Sequence, residues 1–250
     1  MESNISVKRL KEIKSLIDRH SARKKSGMFV VEGIRMVREI PEEDLEELII
    51  SESYLMEYQS GEKREGYKTS VISEASFRKL SDTVHPQGIL AVVRQKQYSL
   101  NDLAKGKLVL ILEGIQDPGN LGTIVRTAEA AGAGGILMDR NTADIYSPKV
   151  VRSTMGSVFR VPFAYTDELL QETDRLKKAG YTIYAAHLQG EPMREVKIRE
   201  PRAILIGNEG SGLSEEAAGA ADQRIRIPMK GKVESLNAAV AAALLMFVWQ

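Results

Sequence analysis

Three glycine-bearing loops in the C-terminal half of this 250-residue chain hold the residue types that chemistry needs. The first, Glu113-Gly114-Ile115-Gln116-Asp117-Pro118-Gly119-Asn120-Leu121-Gly122, runs into a helix that carries Arg126 one turn further on. Pro118 and Gly119 suit a tight turn, and Asn120 is placed to cap the helix. Arg126 is surplus to that structural task. Near a strand's carboxyl end, a guanidinium meets phosphate or a developing oxyanion. The second loop, Ile206-Gly207-Asn208-Glu209-Gly210-Ser211-Gly212-Leu213, allows close backbone approach to a ligand. Its order, G-x-x-G-x-G with Glu209 inside, matches neither the dinucleotide loop nor the P-loop, and a carboxylate there repels a polyphosphate. It suits a ligand without a polyphosphate, or one carrying positive charge. The third, Ile227-Pro228-Met229-Lys230-Gly231-Lys232-Val233-Glu234-Ser235-Leu236-Asn237, leads into an apolar helix with Ser235 as candidate cap and Asn237 in its first turn. Plainer readings stand beside these: Asn120 and Ser235 as caps alone, Glu209 as an acceptor for loop amides, Arg126 as a partner of Asp117. His20, His85 and His187 lack metal-ligand spacing and read as surface or core residues.

Strands and helices must alternate to hold these loops in place. Short apolar runs at 108–112, 135–138, 160–163, 181–185, 203–206 and 224–227 predict strands, with helices near 121–131, 167–179 and 235–248. The run 108–112 is apolar throughout, as a strand buried on both faces must be. Regular alternation predicts an α/β fold with a mostly parallel sheet covered on both sides, and ligand sites beyond the strands' carboxyl ends. The last helix, Leu236 to Trp249, is apolar almost all round, so it packs in the core or partly against a second subunit. Upstream, a smaller α/β unit is read over residues 1–97, with an amphipathic helix at 5–19, a short helix from Gly33, and another at 74–80. Its strands are expected near 28–31, 48–50, 70–72 and 89–93. Residues 98–106 are polar and read as a linker, leaving 107–250 as the second domain. The stretch Arg152 to Ser157 reads as an approach to substrate or subunit interface, or as a plain helix end.

Composition narrows the class. With 35 Lys+Arg against 34 Asp+Glu, 43% hydrophobic residues and no Cys, the chain is of globular type, and disulfides, thiolate nucleophiles and Cys-ligated metals are excluded. The start of the chain mixes charged and apolar residues, unlike a secretory signal, and no apolar run reaches the roughly 18 residues of a membrane span. A cytoplasmic protein with no membrane partner is expected. Charge is unevenly spread: residues 1–40 hold ten Lys/Arg and five Asp/Glu, whereas residues 41–65 hold nine acidic residues against Lys63 and Arg64. An anionic polymer is therefore steered to one side of this half, unless the runs are simply solvated helix faces. Arg9, Arg23, Lys24 and Lys25 are the candidate contacts for such a polymer.

Taken together, Asp117-Pro118-Gly119-Asn120-Leu121-Gly122 with Arg126-Thr127-Ala128, then Gly207 to Leu213, then Ile227-Pro228-Met229 through Glu234-Ser235-Leu236-Asn237-Ala238-Ala239 resemble the three motifs of the SpoU family. This is a family of S-adenosylmethionine-dependent RNA ribose 2′-O-methyltransferases in the SPOUT superfamily, and the resemblance covers Lys107 to Gln250. Phe29-Val30-Val31-Glu32-Gly33 and its surroundings are similar to the substrate-binding domain of such enzymes, itself like a ribosomal-protein RNA-binding fold. The resemblance implies a parallel sheet whose segment from about Ala203 forms a deep trefoil knot, an exception to the rule against knots. It further implies a homodimer through the C-terminal domain and cofactor contacts at Gly207, Ile227, Met229 and Leu236. The cofactor leaves as S-adenosylhomocysteine and no metal is required. A ribose 2′-oxygen would attack the methyl carbon in line, with Arg126 as the family's catalytic arginine and Asn120, Glu209, Ser235 and Asn237 as its polar companions. Because guanidinium stays protonated, Arg126 is read as an electrostatic stabiliser and phosphate clamp, with Glu209 holding it or accepting a proton. Ribosomal RNA is favoured over tRNA because the added domain resembles that of rRNA-modifying members. A non-catalytic RNA-binding module and a SPOUT base methyltransferase are the alternatives, and removal of residues 1–97 is expected to weaken RNA binding.

Overall fold

The computed structural model describes residues 5–57 and 67–248, so Lys63, Arg64 and Trp249 lie outside the described residues. The chain divides into two units, Met1–Lys96 with Tyr146–Phe159, and Gln97–Ile145 with Arg160–Gln250. Among the described residues no helix is long and apolar enough to cross a membrane.

In the first unit Ser6 caps α1 (Val7–Asp18) by accepting from the Arg9 amide, and the spacing of Ile13, Leu16 and Ile17 buries one face of the helix. The chain breaks at Arg19, in extended conformation, and resumes as α2 (His20–Ser26), which the charge-dense sequence did not suggest. Gly27, at φ +66°, ends it and feeds β1 (Met28–Glu32). There follow α3 (Ile34–Arg38), β2 (Leu45–Ser51), α4 (Glu52–Glu57), β3 (Thr69–Ile72), α5 (Glu74–Leu80) and β4 (Ile89–Arg94). The sheet order is β1-β4-β2-β3, antiparallel except for the β2–β3 pair. Ile13, Leu16 and Ile17 pack with Val30, Ile49, Phe77, Leu90 and Val92 to form its core.

Pairing of β2 with β4 shifts register between Leu45 and Glu47, and at that irregularity Glu47 is wholly buried (0% exposed). Its carboxylate accepts from Arg9 Nε at 2.9 Å, Lys68 Nζ at 3.0 Å and Ser70 Oγ at 3.1 Å. Burial pushes the carboxyl up, yet Lys68, Arg9 and Ser70 outweigh it, so the Glu47 pKa lies below its ordinary 4.5. A depressed carboxyl contributes stability above its unfolded-state pKa and loses it as pH falls through the folded value. The stability gap between wild type and Glu47→Gln is therefore expected to narrow when thermal unfolding is followed from about pH 6 to about pH 3. A gap that stays constant would contradict the ion-pair role.

The second unit opens with α6 (Leu100–Leu103), which lies in the stretch read as a linker. Ser99 and Asp102 close a capping box around it, and Leu103 enters the core. Then come β5 (Leu108–Leu112), α7 (Pro118–Ala130) and β6 (Gly135–Asp139). Next in sequence is α8 (Pro148–Thr154), which groups with the first unit, where Tyr146 stacks on Phe29 with ring centroids 4.4 Å apart. A cut after residue 97 therefore strips partners from residues 146–159, and is not the clean test of RNA binding the sequence suggested. The second unit continues with β7 (Phe163–Thr166), α9 (Leu169–Lys178), β8 (Thr182–Pro192), β9 (Arg202–Ile206), α10 (Glu215–Ala220), β10 (Gln223–Arg226) and α11 (Ala238–Phe247). Every pairing is parallel, in the order β10-β8-β9-β5-β6-β7. β7 starts three residues later than expected, because Arg160 is drawn into an ion pair with Glu129 and Pro162 has no amide to donate.

Candidate active site

Register sets the site. Leu112 at the end of β5 lies opposite Ile206 at the end of β9, so the first two polar loops leave the sheet side by side. The glycine loop is folded by Asn208, whose backbone exchanges two 3.0 Å hydrogen bonds with Gly212. Its Oδ1 accepts from the Gly210 and Ser211 amides, and its Nδ2 donates to the Gly114 carbonyl at 2.7 Å. At the far end, Glu113 accepts from both the amide and the hydroxyl of Ser214, the cap of α10. A Cβ on Gly207 would lie 2.3 Å from the Gly212 carbon and the Leu213 nitrogen, so only glycine lets the loop double back there.

Glu209 joins the two loops. It accepts from the Gln116 amide at 3.2 Å, the Asp117 amide at 3.1 Å, Asn120 Nδ2 at 3.0 Å and Asn208 Nδ2 at 3.4 Å. Burial pushes its carboxyl up, but the Asn120 bond and the loop amides prevail and hold it below the usual carboxylate range. Asn237 Nδ2 in turn donates to Asn120 Oδ1 at 2.8 Å, so residues from all three loops meet in one chain of hydrogen bonds.

Two caps differ from expectation. Asp117, not Asn120, caps α7, accepting from the Asn120 amide at 2.8 Å with Pro118 in the first turn, which frees the Asn120 side chain for Glu209. Asn237, not Ser235, caps α11 by accepting from the Ala239 and Val240 amides. Arg126 is exposed on α7 outside this network. It pairs with neither Asp117 nor Glu209, and stands about 9 Å along the helix from Asn120 at roughly 1.5 Å per residue.

A cavity of about 280 Å³ opens beside the network. Gly207, Ile227, Met229 and Leu236 line it together with Ile206 and Ala238, and Glu209, Glu234 and Ser235 add polar edges. Size and apolar walls suit a nucleoside-sized ligand. The carboxylates suit a cation such as a sulfonium, and no phosphate cradle is built into the glycine loop. S-adenosylmethionine fits this set of residues. Sequence reasoning passed over Asn208, whose local bonds leave no periodic signal, and His187, which lines the cavity while its Nδ1 accepts from the Gln189 amide. Among the described residues no group of three or more His, Asp or Glu is placed to hold a metal ion.

In the first unit the basic run is partly spent inside the fold. Arg23 is 4% exposed and its guanidinium caps α1, donating to the Leu16 and Ile17 carbonyls at 2.7 and 3.0 Å. It is turned inward from solvent, because those terminal carbonyls have no intrahelical partner. Arg9 is shared between Glu12 and the buried Glu47. Lys24 and Lys25 are exposed.

The fold and site define an α/β domain that takes a nucleoside-type cofactor at the carboxyl ends of a parallel sheet. The chain belongs to the SpoU rRNA methylase family, whose model matches residues 107–247, and an MRM3-like substrate-binding domain matches residues 8–91. It is 34% identical, over 90% of its own length and 89% of the relative's, to the 23S rRNA (guanosine(2553)-2′-O)-methyltransferase RlmP of Bacillus subtilis. Among solved structures it is similar to the AdoMet-bound rRNA methyltransferase from Sinorhizobium meliloti, at TM-score 0.84 and 30% identity, covering 98% of this chain and 95% of that one. It is also similar to the SpoU methyltransferase AviRb from Streptomyces viridochromogenes in complex with AdoMet, at TM-score 0.82 and 25% identity, covering 96% and 95%.

Proposed function

We propose that this chain transfers a methyl group from S-adenosylmethionine to a ribose 2′-hydroxyl in ribosomal RNA. The observation that carries the reading is the Asn237–Asn120–Glu209 network set against an apolar cavity with an acidic rim. Bound in that cavity, the cofactor supplies an electrophilic methyl group. Gly207, Ile227, Met229 and Leu236 would hold it. Four donors and a depressed pKa make Glu209 a positioning residue rather than a base. It fixes the first loop and orients the Asn120 amide, which in turn orients Asn237. Ser235 lines the cavity, and its hydroxyl is assigned to the substrate ribose. Arg126, lying outside the network, stabilises negative charge on the incoming 2′-oxygen and clamps an adjoining phosphate once RNA is bound.

The similarity to a 23S rRNA enzyme along most of both chains supports an rRNA substrate, and with it a cytoplasmic location. The exposed apolar residues Val240, Phe247 and Val248 at and beside α11 support a homodimer through the second unit. The family resemblance supports a knot in the segment from about Ala203, and domains near 1–97 and 107–250. With labelled S-adenosylmethionine, label is expected in an unmodified 23S rRNA transcript and not in a tRNA pool. Label confined to tRNA would refute the rRNA assignment.

A further inference from the structure

Within the first unit, the loop of residues 81–88 is tied down at both ends while its tip stays in solvent. Glu32, the last residue of β1, accepts from Ser81 Oγ at 2.5 Å, Thr83 Oγ1 at 2.7 Å and the Asp82 amide at 3.2 Å. Ser81 Oγ also accepts from the Thr83 amide at 3.0 Å. At the other end Gln87 Oε1 accepts from the Ile34 amide at 2.9 Å. Gly88 sits at φ +77°, where a Cβ would lie 2.5 Å from Ser51 Oγ and 2.8 Å from Tyr54 Cβ. Between these anchors Val84 is 89% exposed and His85 is exposed beside it. Arg35, the residue after Ile34, is also exposed. The one acidic residue of the loop, Asp82, is paired with Arg152 at 3.0 Å.

A loop that served only to join α5 to β4 would gain by burying its valine or replacing it with a polar residue. Here an exposed valine and an exposed imidazole follow one another at the tip, and the Gln87 bond to the Ile34 amide ties this loop to the turn that carries the exposed Arg35. Single-stranded RNA is read by those groups: bases stack on imidazole and apolar faces, amides bond base edges, and guanidinium meets phosphate. Ordering the loop in the free protein removes much of the entropic cost of binding. We propose that Val84, His85, Gln87 and Arg35 grip an unstacked nucleotide of the substrate RNA, and that Glu32 is the positioning residue that holds the loop for it. This rests on the reading of RNA as substrate.

The test uses the full chain and an in vitro transcript of Bacillus subtilis 23S rRNA, measuring its Kd by filter binding and its KM in methyl transfer. Val84→Asp, and the double change His85→Ala with Arg35→Ala, alter only exposed side chains. Each is expected to raise RNA Kd and KM at least tenfold, with AdoMet Kd within twofold of wild type and thermal midpoint unchanged. Arg35→Ala alone should flatten the salt dependence of log Kd by about 0.7, one phosphate contact on a single strand. Glu32→Gln should raise RNA KM several-fold while kcat at saturating RNA and AdoMet Kd stay unmoved. RNA Kd and KM within twofold of wild type in both exposed-residue variants would overturn the proposal. A wild type that binds the transcript but transfers no methyl would instead refute the activity, and the loop would then be judged on Kd.

Discussion

Replacing Arg126 with Ala is expected to lower the rate of methyl transfer at least about 100-fold, the range seen when one preorganised donor to a developing oxyanion is removed. AdoMet Kd should stay within twofold, because Arg126 does not line the cavity. The side chain is exposed and makes no bond to Asp117 or Glu209, so stability should change by no more than about 0.5 kcal/mol. Arg126→Lys restores the charge but not the planar fork, and should recover only a minor part of the rate. Single-turnover transfer and calorimetric titration of AdoMet separate the two effects. Loss of cofactor affinity in the Ala variant, or near-normal transfer, would remove Arg126 from the role given to it.

Gly207→Ala should act on the opposite step. The added methyl would sit 2.3 Å from backbone atoms of Gly212 and Leu213, which cannot swing aside as a side-chain end can. Relief requires breaking the paired hydrogen bonds between Asn208 and Gly212, and with them the wall of the cavity that Gly207, Asn208 and Gly212 share. AdoMet affinity is expected to fall by about 5- to 150-fold, the equivalent of the 1–3 kcal/mol that overpacking costs. Gly219→Ala is the matched control, since nothing lies within 4 Å of the Cβ it would add and its helix, α10, favours alanine. Equal AdoMet affinity in the two variants would show that the glycine loop does not form the cofactor wall.

The parallel sheet was legible because its strands are buried on both faces. The 108–112 run is apolar at every position, and every one of those residues is buried. Helix α10 was not legible, since six residues give too few turns for a period to show. Caps were legible as a residue class but not by position. Pro118 following Asp117 is a helix-start signal that favoured Asp117 over Asn120, and the same misplacement put Ser235 where Asn237 acts. Arg23 shows where charge counting fails. Three consecutive basic residues look alike in sequence, yet only the first turns inward, because α1 ends where its carbonyls need a donor. Gly207, Ile227, Met229 and Leu236 came from motif resemblance, whereas His187 and Asn208, which also line the cavity, did not. The linkage of the loops through Glu209 came only from the structure, because residues 116, 120 and 208–209 are brought together by strand register rather than by spacing in the chain.

The central claim, methyl transfer to a ribose oxygen, is tested most directly by the nucleoside that carries the label. The intact chain is incubated with labelled S-adenosylmethionine and unmodified 23S rRNA transcript, and the RNA is digested to nucleosides and separated. The account predicts a labelled 2′-O-methylnucleoside that disappears with Arg126→Ala. A label on a base, or no label in RNA under conditions where the chain binds both AdoMet and the transcript, would contradict it.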